Sequence, residues 1–247
     1  MENEVKVGME RTVLFAGKEY PEGREFALVA TRCNRNAVIT VAEMPEELED
    51  GCISDNIYPA KWSRNSPLSA RSIILQAENA CGAFQEAVII FDTAWYSGQF
   101  EELTPTASSK AIDTMIASYA HLVGEIVARF KKKGGGTLIF VQKKATTDEA
   151  NGGFSKPVSV LAGMAEGAFK GLAESIATTF GQDESMKIVL AKADYGTADS
   201  HFANWLFEVL DAPNSVMGKF DVKKGPQWFK MGAKAGKTGF FNAFQKK

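Results

Sequence analysis

Asp92, Lys143, Glu166, Lys192 and Asp194 are the acids and amines of this sequence that could do chemistry together. Paired carboxylates can exchange protons with a substrate, and a lysine with a depressed pKa can act as base or nucleophile. The competing reading of the same five is a set of solvated or mutually paired charges. His121 and His201 are the only histidines and have no ligand-spaced companions, so metal binding is not expected. Cys33, Cys52 and Cys81 are odd in number and form no CxxC pair, which points to a reduced compartment rather than to a disulfide framework or zinc ribbon. Gly17 and Gly23 flank Lys18-Glu19-Tyr20-Pro21-Glu22. A glycine turn of this kind can cradle phosphate at a helix start, or it can be a tight turn with no ligand.

The elements that must position these groups alternate. Thr12-Val13-Leu14-Phe15-Ala16 reads as a buried strand, Arg24 to Thr31 as a helix, and Ala37 to Val41 as a second strand. Ser69 to Ala80 reads as a helix, Ala87 to Phe91 as a strand, and Ile112 to Phe130 as a long helix ended by Gly134-Gly135-Gly136. Strand Thr137 to Val141, a polar loop through Pro157, a small-residue helix to about Phe180 and strand Met186 to Ala191 follow. Continuously apolar strands separated by helices imply an α/β fold, a doubly wound parallel sheet of Rossmann-like, three-layer α/β/α form. Such folds bind ligands at the C-terminal edge of the sheet, where the five charged residues would meet.

Composition bounds the rest. A chain of 247 residues with 45% hydrophobic and 23% charged content and a net charge of -2 is an ordinary globular protein, not a disordered or nucleic-acid-coating one. It reads as one domain over residues 1–247 with a basic, aromatic tail over 229–247. No apolar run of about 18 residues and no signal-peptide core is evident, so a cytoplasmic protein without a membrane span is expected.

The order of elements and their local sequences resemble the short-chain dehydrogenase/reductase family from about Thr12 to about Trp228. VLFAGKEYPEGREFALVA (Val13 to Ala30) is similar to that family's opening strand, glycine turn and helix, GGGTLIFV (Gly134 to Val141) to a middle strand, and NSVMGKFDVKKG (Asn214 to Gly225) to its closing segment, with Gly218 and Gly225 at glycine positions. The resemblance implies an NAD- or NADP-dependent oxidoreductase ancestry. The TGxxxGxG turn of the family keeps only its outer glycines here, as Gly17 and Gly23, which become the vestigial cofactor-binding candidates. Pro21 replaces the middle glycine, adding a ring and removing an N–H, and Glu22 puts a carboxylate where phosphate is attracted. Lys18 and Arg24 partly offset that charge. Glu43 stands near the place of the acidic residue that holds ribose, or is a solvated charge. Phe91-Asp92-Thr93-Ala94 stands where the family has Asn-Asn-Ala-Gly.

The catalytic roles implied by the resemblance fall on unsuitable residues. Ala162 takes the tyrosine position, Glu166 the lysine position, Gln142 or Lys143 the serine position, and Met115 or Ile116 the asparagine position. Alanine transfers no proton, and a carboxylate raises rather than lowers a neighbouring phenol's pKa. The wider tyrosine-to-lysine gap of the enoyl reductases leads back only to Ser159. The expectation is therefore a short-chain dehydrogenase/reductase-like protein without catalysis and with no cofactor, serving as a binding or subunit-assembly partner. The alternative is a divergent NAD(P)-dependent oxidoreductase with Tyr20, Tyr96, Tyr119 or Tyr195 in a new role, binding NAD or NADP if the degenerate site still does so.

Gly163, Gly167 and Gly171 recur every four residues in the helix after Pro157. They suit either close packing on the protein's own sheet or a contact in a homo-oligomer or a hetero-oligomer with a related subunit. After Asp221 there are seven lysines, interleaved with Trp228, Phe229, Phe240, Phe241 and Phe244. That tail is expected to cover the cleft or a neighbouring subunit rather than meet nucleic acid.

Overall fold

The computed structural model describes residues 11–46, 48, 51–145, 158–211 and 226–231. Its strands are β1 (Arg11–Ala16), β2 (Arg35–Val41), β3 (Ile57–Lys61), β4 (Glu86–Asp92), β5 (Gly136–Lys143), β6 (Met186–Ala193) and β7 (Trp228–Lys230). They form one sheet in the order β3-β2-β1-β4-β5-β6-β7, and every neighbouring pair is parallel. The helices are α1 (Arg24–Arg32), α2 (Pro67–Cys81), α3 (Thr93–Ser97), α4 (Pro105–Ile112), α5 (Ser118–Lys133), α6 (Val160–Phe180) and α7 (Asp199–Asp211), with a π turn over Asp113–Ala117 joining α4 to α5.

Strand side chains alternate between two cores because the pleat has a period of two. Leu14, Val38, Ile89, Leu138 and Leu190 share one core with residues of α2, α5 and α6. Val13, Ile39, Ile90, Val141 and Val189 share the other with α1 and α7. Both faces are covered, so the expected doubly wound, Rossmann-like α/β/α sandwich is what forms. The strand order reverses between β1 and β4, which opens a crevice at their C-terminal ends.

The strands run one or two residues beyond their apolar stretches. Arg35, Glu86, Asp92 and Lys143 all extend the pairing and are buried, each held by opposite charges. β3, α7 and β7 had no clear sequence signal: Pro59 interrupts β3, which is tolerated because it lies at the sheet edge. The long helix starts at Pro105 and is broken by the π turn, where a continuous helix from Ile112 was expected. The triple glycine does end α5, with Gly134 left-handed at φ 86° and its N–H bonded to Phe130 O. Gly218, Gly225, Pro157, Phe240, Phe241 and Phe244 lie outside the described residues.

Candidate functional site

The crevice at the β1/β4 switch point is built on Gly17. Its φ is 106°, and a Cβ there would stand 1.9 Å from Ile90 O and 2.6 Å from the Tyr119 hydroxyl. Glycine is thus demanded by the neighbouring strand and a buried tyrosine, with no ligand needed to explain it. Gly23 is similarly fixed, since a Cβ would lie 2.1 Å from Lys18 O. The amides of the turn point inward: Tyr20 N–H donates to Thr40 O at 3.0 Å, Gly23 N–H to Glu19 O at 2.7 Å and Arg24 N–H to Pro21 O at 3.1 Å.

Arg64, from the loop after β3, fills one side of this crevice. Its guanidinium donates to Glu19 Oε1 at 2.8 Å, Gly17 O at 2.9 Å and Thr114 O at 3.1 Å. Thr114 belongs to the π turn, and the Ser118 hydroxyl also donates to its carbonyl at 2.6 Å. A π turn loosens the regular helical hydrogen bonding, and here the arginine takes up a carbonyl of that turn. The guanidinium also lies 4.1 Å from the Trp62 ring centroid and within 5.6 Å of those of Tyr96 and Tyr119. Burial works against its charge, but Tyr96, Tyr119 and Glu19 outweigh that and hold it more firmly protonated than usual.

Tyr96 and Tyr119 form a buried pair with hydroxyls 2.8 Å apart. Tyr119 donates to Ile90 O at 2.7 Å, while the Tyr96 hydroxyl lies 3.1 Å from Gly17 O. Burial raises both phenol pKa values, and the opposing pull of Arg64 is too small to reverse it. Both therefore stay protonated.

A second group of charges fills the other side. Lys18 Nζ lies 2.8 Å from Asp92 Oδ2 and 2.7 Å from Asp199 Oδ2. Lys143 pairs with Asp199 and stands 3.5 Å from Asp92. Asp92 Oδ1 meanwhile caps α3 by accepting from Trp95 N–H at 3.2 Å. Burial pushes the Asp92 carboxyl up, but Lys18 above all, with Lys143, holds it below the usual aspartate range. Burial lowers Lys18, and Asp92 with Asp199 more than restores it, so its pKa is raised.

The five expected charged residues thus divide into three groups. Asp92 and Lys143 meet, joined by Lys18 and by Asp199, which the sequence reading missed because α7 was not read as a helix. Glu166 accepts from Gln142 Nε2 at 2.5 Å. Asp194 pairs with Lys230 at 2.8 Å, and Lys192 lies over the Trp228 ring at 5.0 Å. Ala162 and Met115 are buried in the apolar core, with Ile116 packed against it. Glu43 is 82% exposed and pairs only with half-exposed Lys61 among the described residues, so its ordinary surface charge explains it. Tyr20 packs on the core at the α1 face and Tyr195 is exposed. His121 and His201 are both exposed, and among the described residues no cluster of three or more His, Cys, Asp or Glu could hold a metal. No described helix is long and apolar enough to cross a membrane.

These residues do not fit a dinucleotide pyrophosphate. The helix-start amides of Gly23 and Arg24 are bonded within the turn, Pro21 has none, and the crevice walls carry Arg64 and Lys18 already neutralised by carboxylates.

No protein-family model matches the chain. It is 28% identical over 182 residues to an uncharacterised protein of Treponema pallidum (strain Nichols), a match covering 73% of this chain and 74% of that protein. Solved structures share the fold at low identity. Serine dehydrogenase from Escherichia coli superposes with a TM-score of 0.62 at 10% identity, covering 89% of this chain and 96% of that one. A short chain dehydrogenase from Bacillus anthracis gives 0.60 at 14%, covering 81% and 89%. Gluconate 5-dehydrogenase from Burkholderia cenocepacia, in complex with NADP and tartrate, gives 0.53 at 12%, covering 75% and 70%. The chain therefore has a Rossmann-like fold matching structures of short-chain dehydrogenases/reductases.

Proposed function

We propose that this chain is a short-chain dehydrogenase/reductase-like protein without dehydrogenase activity, which serves as a binding or subunit-assembly partner. The observation that carries the reading is that Arg64 and the Lys18–Asp92–Lys143–Asp199 cluster occupy both sides of the crevice with their charges already paired. The residues that the resemblance puts at the tyrosine and lysine positions support it too, since Ala162 and Glu166 offer neither a phenol nor a cation.

The assembly role rests on α6. Its inner face, Leu161, Ala162, Ala165, Phe169 and Ala173, is buried. Gly163, Gly167 and Gly171 face outward beside exposed Val160 and Met164, and a Cβ at Gly167 or Gly171 would meet nothing within 4 Å among the described residues. These glycines do not pack on the protein's own sheet. The face suits close approach by another helix in a homo-oligomer or in a hetero-oligomer with a related subunit.

The second reading, a divergent NAD(P)-dependent oxidoreductase, draws on the NADP bound by a fold relative and on the arginine beside two tyrosines. Against it, Tyr96 and Tyr119 are fully enclosed, with phenols pushed toward the neutral form. Thermal unfolding with and without saturating NAD⁺, NADH, NADP⁺ and NADPH separates the two. A ligand at about 100 times its Kd adds about 2.7 kcal/mol, worth several degrees. No shift with any of the four is expected, and a clear upward shift would mean that the cofactor site survives and would favour the oxidoreductase reading instead.

A further inference from the structure

Glu166, Lys170 and Glu174 recur every four residues along α6 and so line one of its faces. That face runs across the sheet: Glu166 meets Gln142 of β5, while Glu174 accepts from Trp228 Nε1 of β7 at 2.8 Å. Lys192 belongs to β6, the strand between them. Its neighbours Ala191 and Ala193 enter the core under α1 and α7, so its own side chain leaves the sheet toward α6, with the ammonium 5.0 Å from the Trp228 ring centroid. Gln142 and Lys192 are partners in register, on strands about 4.8 Å apart.

The charges gathered here are unevenly satisfied. Lys170 stands between Glu166 and Glu174 on the helix, yet its one ion pair among the described residues is with Glu174 at 3.8 Å. The Lys192 ammonium makes no hydrogen bond or ion pair with a described residue. Burial lowers its pKa, Lys170 and Lys144 lower it further, and Glu174 and Glu166 offset them only in part. Two cations that oppose one another across helix and sheet are relieved by an anion between them. One strand away the need is reversed. Gln142 is buried and gives an Nε2 proton to Glu166, which leaves its Oε1 an acceptor without a donor. A buried polar atom in that state is costly, and a bound group that donates to it removes the cost.

We infer that α6 and the ends of β5 and β6 bind an α-amino acid as its zwitterion, with the carboxylate between Lys170 and Lys192 and the ammonium on Gln142 Oε1 and Glu166. A carboxylate and an ammonium on one carbon match an anion site and a donor-seeking site one strand spacing apart. Both ligand groups then form charge-assisted hydrogen bonds, and neither Glu166 nor Lys192 is left facing its own sign. The inference extends the reading of the chain as a binding protein, and it rests neither on the assembly face of α6 nor on the state of the nucleotide crevice.

The probes are glycine, L-alanine, L-serine, L-leucine and L-phenylalanine, each at millimolar concentration in thermal unfolding of the full chain near neutral pH. At least one should raise the Tm by several degrees, with a shift that saturates. Propionate and ethylamine, which carry one charge each, should not reproduce it. Lys192→Met should leave the unliganded Tm unchanged, because the ammonium has no hydrogen bond or ion pair to lose, and should abolish the shift. Gln142→Leu should weaken binding at least tenfold in the same titration. No shift with any of the five, a shift that propionate matches, or one that survives Lys192→Met would overturn the inference. Nucleotides take no part in this assay, so its failure leaves the absence of dehydrogenase activity to its own test.

Discussion

Lys18 reaches from the glycine turn across the switch point to Asp92, with its ammonium 2.8 Å from Oδ2 and flanked by Asp199 at 2.7 Å. A residue of the turn itself therefore bridges the C-terminal ends of the strands to the start of α7. The same logic holds at the other end of β4, where Glu86 is neutralised by Arg35. The central strand carries a buried carboxylate at each end, and each is anchored by a cation from a neighbouring segment.

Removing one member of a buried pair leaves the other charge uncompensated, which costs about 3–5 kcal/mol where burial is complete. Lys18 and Asp92 are 12% and 7% exposed, so Asp92→Asn should cost about 3 kcal/mol in urea unfolding. Lys18→Met with Asp92→Asn should cost less than the sum of the two single changes, because they share one network. Additive losses would show that the contact carries no coupling.

The pH dependence follows from the signs. The native Asp92 pKa is lowered, so its contribution is present above the ordinary aspartate range and is lost as pH falls through that range and below it. The native Lys18 pKa is raised, so its contribution is present below the ordinary lysine value and is lost as pH rises through and beyond it. Stability measured by urea midpoint should fall at both extremes, and Asp92→Asn should flatten the acid limb.

Gly17→Ala should be among the most destabilising small substitutions in the chain. The added methyl would meet a backbone carbonyl at 1.9 Å in a conformation with φ 106°. Strain and displacement together predict a loss of about 3 kcal/mol or more. The loss should be the same with and without nucleotide, because the glycine serves packing.

The fold was legible because β1, β2, β4, β5 and β6 are buried on both faces and stand out as apolar runs. The site was legible in part. Asp92 and Lys143 end neighbouring strands in register, so their meeting follows from the sheet alone. Lys18 and Arg64 were harder to place, since both lie in loops and their partners are a distant helix start and a π turn. Neither Asp199 nor Thr114 carries a local signal for such a role. The outward course of Gly163, Gly167 and Gly171 was equally open, because small residues suit either face of a buried helix.

Those glycines give a prediction with opposite signs for two substitutions. Gly167→Ala meets nothing within 4 Å among the described residues and should stabilise the isolated subunit by about 1 kcal/mol through helix propensity. Gly167→Trp should leave the subunit folded yet dissociate any assembly made through α6, read as a fall in mass by light scattering. An unchanged mass would place the assembly face elsewhere.

Arg64→Ala tests whether the filled crevice is a barrier or merely a consequence of lost function. The substitution strands Glu19 and the carbonyls of Gly17 and Thr114, and should cost about 2–4 kcal/mol. It also removes a cation that lowers the Tyr96 and Tyr119 pKa values, so both phenols should titrate still higher in ultraviolet difference spectra. Nucleotide should still produce no thermal shift, because the amides of Tyr20, Gly23 and Arg24 remain bonded within the turn and its surroundings. A shift with NADPH that Arg64→Ala shows and the parent lacks would mean that the arginine alone keeps the cofactor out, and that the turn beneath it still works.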